Sequence, residues 1–144
     1  DDVGDSIFSG GLVFSRISAA GNFAERVETD GANLNIEDDA GKQTITHIDF
    51  NSTRHMEGRF SIGNPGQYGI IDTDLISGSL KLTIQTAISG TETDEPEAGK
   101  LRVEAQDGSS LIMTVTSGDV VIEIDTDNDG SIDGTLASKW IDMD

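Results

Sequence analysis

Apolar and polar residues alternate with period two along most of this chain, and Gly, Asn and Asp interrupt the alternation at short intervals. The clearest run is Leu80 to Ile88, in which Leu80, Leu82, Ile84 and Ile88 are set to face a core and Lys81, Thr83 and Gln85 to face water. Leu101, Val103 and Ala105 follow, opposite Arg102 and Glu104, and Asp107-Gly108 supplies the positive-φ turn of a hairpin. Leu111, Met113 and Val115 form the return strand, and Ser117-Gly118-Asp119 turns the chain again. Val120, Ile122 and Ile124 then lead into an Asp-rich loop, and Leu136 to Ile141 reads as the last strand, with Trp140 inward. The C-terminal half is therefore a β-meander.

The N-terminal half is less regular. Ile7 to Ser18 predicts a long strand bent at Gly10-Gly11. Strands are expected over Phe23 to Glu28, Asn33 to Glu37 and Gln43 to Phe50, with turns at Asp30-Gly31 and Asp38-Asp39-Ala40-Gly41. Arg54 to Ile62 reads as one strand with Met56, Phe60 and Ile62 on one face and His55, Glu57 and Arg59 on the other. Asn64-Pro65-Gly66-Gln67 has Pro and Gly where a type II turn needs them. The acidic stretch from Ser89 to Gly99 lacks periodicity and predicts a long loop. Residues 1–144 are expected to make a single all-β domain, an antiparallel β-sandwich or a closed β-barrel.

Composition narrows the chemistry. Asp and Glu total 27 against 9 Lys and Arg, a net charge of −18, so a surface that binds nucleic-acid phosphates or anionic lipid is not expected. The chain has no cysteine, which removes thiolate metal sites and Cys nucleophiles. No run approaches the roughly 18 apolar residues of a membrane span. The opening Asp1-Asp2-Val3-Gly4-Asp5 reads as a processed or trimmed start.

Asp125-Thr126-Asp127-Asn128-Asp129-Gly130-Ser131-Ile132-Asp133 puts carboxylates at positions one, three, five and nine of a loop, with Gly at six. Ca²⁺ takes six to eight oxygens at about 2.3–2.6 Å, and alternating Asp residues on a tight loop can converge on one such centre. The expected ligands are Asp125, Asp127, Asp129 and Asp133, with the carbonyl of Ser131 at position seven. Carboxylates crowded this closely repel one another unless a cation lies between them. Shorter clusters, Glu37-Asp38-Asp39 and Asp72-Thr73-Asp74, read as plain turns.

DTDNDGSID resembles the Asp-x-Asp-x-Asp-Gly calcium loops of EF-hands, dockerins, thrombospondin type 3 repeats and integrin propeller blades. An EF-hand carries a bidentate Glu at position twelve, where this chain has Leu136, and the flanks here are strands. The likeness is therefore nearest the hairpin loops of propeller blades, and it implies weak, extracellular-type affinity of roughly 10⁻⁴–10⁻³ M. The acidic, Gly- and Thr-rich chain, with its Asp-rich loop before a terminal Trp strand, also resembles bacterial envelope and lipoprotein domains.

Catalytic signatures are sparse. His47 and His55 are the two histidines, and His47 with Asp49 is a same-face strand pair able in principle to do acid–base work or, with His55, to gather a metal. There is no Gly-x-Ser-x-Gly elbow, and Gly41-Lys42-Gln43 lacks the rest of a P-loop. Tyr68 is the best exposed aromatic for stacking a sugar, although its place beside Gly66-Gln67 fits a turn-anchoring Tyr better. The expectation is a non-catalytic, extracytoplasmic structural or interaction domain stabilised by one Ca²⁺. The alternative is a ligand- or carbohydrate-binding β-barrel or module.

Overall fold

A computed structural model describes residues 7–30, 33–38, 41–55, 57–73, 78–91 and 95–140. The strands are β1 (Ile7–Ser9), β2 (Leu12–Ala19), β3 (Asn22–Thr29), β4 (Leu34–Asp38), β5 (Gly41–His55) and β6 (Arg59–Ile62). They continue with β7 (Tyr68–Thr73), β8 (Ser79–Thr91), β9 (Ala98–Ala105), β10 (Ser110–Thr116), β11 (Asp119–Asp125) and β12 (Gly134–Lys139). The protein is all-β, and among the described residues every strand belongs to one 12-stranded antiparallel sheet. No helix among the described residues is long and apolar enough to cross a membrane.

The topology is simpler than the strand count suggests. The first half of β5 pairs with β4 on one side and β7 on the other, and its second half pairs with β3 and β6. Since β3 and β4 both run antiparallel to β5, they are successive pieces of one lane, as are β6 and β7. Likewise, β1 and β2 lie end to end against β4 and β3. Each lane thus neighbours the next in sequence, and the whole sheet is an up-and-down meander that ends in β9-β10-β11-β12.

Glycines mark the interruptions. At Gly10 (φ +120°) an added Cβ would lie 2.1 Å from the Asn33 carbonyl, and at Gly11 one would strike the Asp30 carboxylate. The bend expected there is present. The β6–β7 break holds the expected turn, with the Gln67 N–H bonded to the Asn64 carbonyl at 3.0 Å and Gly66 at φ +91°. Gln67 Oε1 then accepts the N–H groups of Asn51 (3.1 Å) and Asn64 (2.8 Å), where the ladder is broken.

Two readings need correction. Arg54 to Ile62 is a hairpin rather than a strand: β5 ends at His55, whose carbonyl accepts the Gly58 N–H at 2.9 Å, and Gly58 takes φ +75°. Met56 lies outside the described residues, as do Gly31, Asp39, Ala40, Asp74 and Ile141. The turn expected at Asp30-Gly31 falls partly outside the described residues, and β3 and β4 on either side of it point the same way along β5. The loop expected over Ser89 to Gly99 is shorter, since Ser89 pairs with Ala98. Its end is pinned: Ser117 and Gly118 donate their N–H groups to the carbonyls of Glu97 (2.7 Å) and Pro96 (2.9 Å).

The C-terminal meander matches its alternation. Gly108 (φ +93°) closes the β9–β10 turn, and Ser117 (φ +49°) and Gly118 (φ +78°) form a two-residue hairpin of type I′ dihedrals. Ile84, Leu101, Met113, Ile122 and Leu136 register in one cross-strand row, and Leu82, Val103, Leu111 and Ile124 in the next. These rows make the apolar face. Ile84, Val115 and Val120 are its buried residues. In β5 the register shifts between Ile45 and His47, so Thr46 is a bulge. Without it Ile45 and Ile48, three apart, would point to opposite faces; with it both join the apolar side.

Candidate metal centre

The Asp-rich loop joins β11 to β12, and the Asp133 N–H closes it by bonding the Ile124 carbonyl at 2.8 Å. Asp125, the last residue of β11, is 8% exposed and is the buried charged residue of the described chain. Its carboxylate organises the loop: Oδ1 accepts the Asn128 N–H at 2.8 Å and Oδ2 the Gly130 N–H at 3.1 Å. Asn128 at φ +60° and Gly130 at φ +83° turn the backbone inward to make these bonds. At the other end, Asp133 Oδ2 accepts both the N–H (2.7 Å) and the hydroxyl of Thr126.

The carboxylates of Asp125, Asp127 and Asp133 each bring an oxygen within 4.8 Å of the others. Two oxygens on one Ca²⁺ can be no farther apart than twice the bond length, about 4.6–5.2 Å, so this spacing fits a shared calcium sphere. Each carboxylate oxygen has about two acceptor positions, so the bonds to backbone N–H groups leave lone pairs for an ion. Asp129 is not in this group; its Oδ1 accepts the Ser131 N–H at 2.7 Å. Of the residues expected as ligands, the fold therefore gathers three, with Asp129 and Ser131 bonded to each other beside them. No other such acidic or histidine cluster occurs among the described residues.

The remaining candidates are dispersed. His47 stacks on Tyr68 with ring centroids 4.2 Å apart, and Lys81 Nζ lies 4.9 Å from the Tyr68 ring. Tyr68 is thus in contact with side chains of its own chain. Asp49 is held by Arg26 Nε at 3.0 Å and Gln67 Nε2 at 3.3 Å. His55 is eight residues beyond His47 on the same strand, roughly 26 Å at the usual rise, and bonds Asn22 Oδ1 at 2.9 Å.

Three carboxyls are held below the usual range by hydrogen bonds: Asp49 by Arg26, Asp107 by the Ser109 hydroxyl, and Asp133 by the Thr126 hydroxyl. A carboxyl with a lower pKa folded than unfolded adds stability above its unfolded value and loses it as pH falls through the folded one. Acid also relieves the self-repulsion of a −18 chain, which acts in the opposite direction. A comparison isolates the Asp133 effect. The stability deficit of Thr126→Val relative to wild type should be largest above about pH 5 and should close below about pH 4. Urea midpoints across that window measure it, and a deficit independent of pH would remove the Thr126–carboxylate bond as its cause.

No protein-family model, curated protein or solved structure matches this chain.

Proposed function

We propose that this chain is a non-catalytic, extracytoplasmic structural or interaction domain whose final hairpin is pinned by one Ca²⁺ ion. Asp125, Asp127 and Asp133 are the carboxylate ligands. Asp129 and the Ser131 carbonyl are the further ligands of this reading, bound directly or through water. The convergence of three carboxylate oxygens within 4.8 Å carries the reading. It is supported by the sequence pattern, which alternates Asp with a glycine at the sharpest turn, and by the strands on either side.

The compartment follows from affinity. A site without a twelfth-position Glu fills at roughly 10⁻⁴–10⁻³ M calcium, a range typical of extracellular modules and not of cytosolic sensors. The acidic composition suits such a setting. Bound calcium relieves the repulsion among the loop carboxylates and fixes the β11–β12 connection, so its role is structural. Calorimetric titration with CaCl₂ should give one binding event, and Asp127→Asn should abolish it while leaving the circular dichroism of the sheet unchanged. Heat release indistinguishable from dilution for the wild-type chain would reject the proposal.

A further inference from the structure

The β2 strand lies at an edge of the sheet: among the described residues it pairs with β3 alone, in an unbroken register from Leu12↔Thr29 to Ala19↔Asn22. Soluble proteins guard such edges with Lys, Pro, bulges or inward charges. In Leu12–Ala19 the one charge is Arg16, and there is no Pro and no bulge. Phe14 (72% exposed), Ile17 (71%) and Val13 (40%) stand in solvent along it.

Charge selects the occupant. In a chain of net charge −18, a second copy is repelled from most of the surface. The β2 edge is an exception. It contains no Asp or Glu, and the neighbouring strand's Glu25 and Glu28 are matched by Arg16 and Arg26, at 3.6 Å and 3.0 Å. The opposite edge, β12, is also free of acid, but it lies against Asp119, Glu123 and Asp125 of β11, and it carries one large exposed apolar residue, Leu136.

We infer that β2 is the seam of a symmetric dimer, in which a second copy adds its own β2 antiparallel and extends the sheet across a two-fold axis at Ser15. A two-fold perpendicular to the sheet keeps each face on its own side, so residues of like parity must pair. Centring on Ser15 places Val13 opposite the second copy's Ile17, and Phe14 opposite its Arg16. The three exposed apolar side chains are all covered at once. Arg16 already lies 4.5 Å from the Phe23 ring, and Phe14 of the second copy gives it another aromatic neighbour. Moving the axis one residue along, to Arg16, would set two guanidinium groups against each other. The unpaired backbone N–H and C=O groups of the edge find partners in the same step, as in strand addition generally.

The chain has no cysteine, so a single introduced thiol reads the register. Ser15→Cys, opposite its own copy, should form a disulfide-linked dimer under mild oxidant. Ser18→Cys, opposite Leu12, should not. Sedimentation velocity over a concentration series should show a reversible dimer, and Ile17→Lys should weaken it by about tenfold or more. Because Ile17 is exposed, its circular dichroism should match wild type. A wild-type chain that stays monomeric throughout the series overturns the inference. So does Ser15→Cys linking no faster than Ser18→Cys, and so does open-ended polymer, which would mean β12 pairing with β2.

Discussion

Truncation of Ile84 to alanine should lower stability by about 2–5 kcal/mol, the usual cost of removing a buried isoleucine side chain. Ile84 is 4% exposed and one of three buried hydrophobic residues in the described chain. Its environment cannot collapse to fill the space. The Gly63 backbone lies so close that a Cβ there would come within 2.6 Å of Ile84 Cγ1. That backbone is held by the Gly63 N–H to Asn51 carbonyl bond at 2.6 Å, while the Gly66 N–H and Gln67 carbonyl bond the backbone of Ile84 itself, at 2.8 and 2.9 Å. Domains of this size hold only about 5–15 kcal/mol in total, so the loss is a large share. It corresponds to a drop in melting temperature of roughly 6–15 °C. Leu136→Ala, in the same cross-strand row but 60% exposed, is the control and should cost under about 1 kcal/mol. Equal losses for the two would mean that the apolar face is not packed as described.

Alternation made the C-terminal meander legible, because each strand there keeps one parity from end to end and each turn carries its own signal, Asp107-Gly108 or Ser117-Gly118. The N-terminal half hid its arrangement for two physical reasons. Parity survives a tight turn, so Arg54 to Ile62 still alternates although the chain reverses at Glu57-Gly58. A bulge does the opposite and breaks parity without ending the strand, as Thr46 does between Ile45 and Ile48. Nor does a run such as Leu12–Ala19 reveal whether it will be central or at an edge, since burial on the sheet depends on partners far along the chain.

The candidate metal centre was easier to read because its residues are contiguous, and a nine-residue loop can converge on one point without help from the rest of the fold. What the pattern did not show is the competition for carboxylates inside the loop. Asp and Asn side chains bond N–H groups two residues on, and Asp127 and Asp129 do so, to Asp129 N–H at 3.3 Å and Ser131 N–H at 2.7 Å. For Asp129 that bond goes with a place outside the gathered group. Asp133 reaches the group from the far strand end, fixed by Thr126.

Replacing Asp125 with alanine should damage the protein twice, and the two losses separate experimentally. Without calcium, the N–H groups of Asn128 and Gly130 lose a charged acceptor at 2.8 and 3.1 Å. Such bonds are worth about 1.5–3 kcal/mol each, less where water can replace the acceptor, so a net loss of about 2–4 kcal/mol is expected. Relief of repulsion from Asp127 and Asp133 works against this but is screened at an exposed loop, so the hydrogen bonds decide the sign. With calcium, the wild-type chain should gain RT ln(1 + [L]/Kd), about 1.4–2.7 kcal/mol at about 10 mM for the affinity range proposed, and the variant should gain nothing. Asp127→Asn separates the effects: its carboxylate accepts one long loop bond, so stability without calcium should stay near wild type while the calcium gain disappears. Thermal melts of the three proteins with CaCl₂ and with chelator give the full comparison. A wild-type melt unmoved by either addition, alongside a destabilised Asp125→Ala, would make Asp125 a backbone cap in a solvated turn.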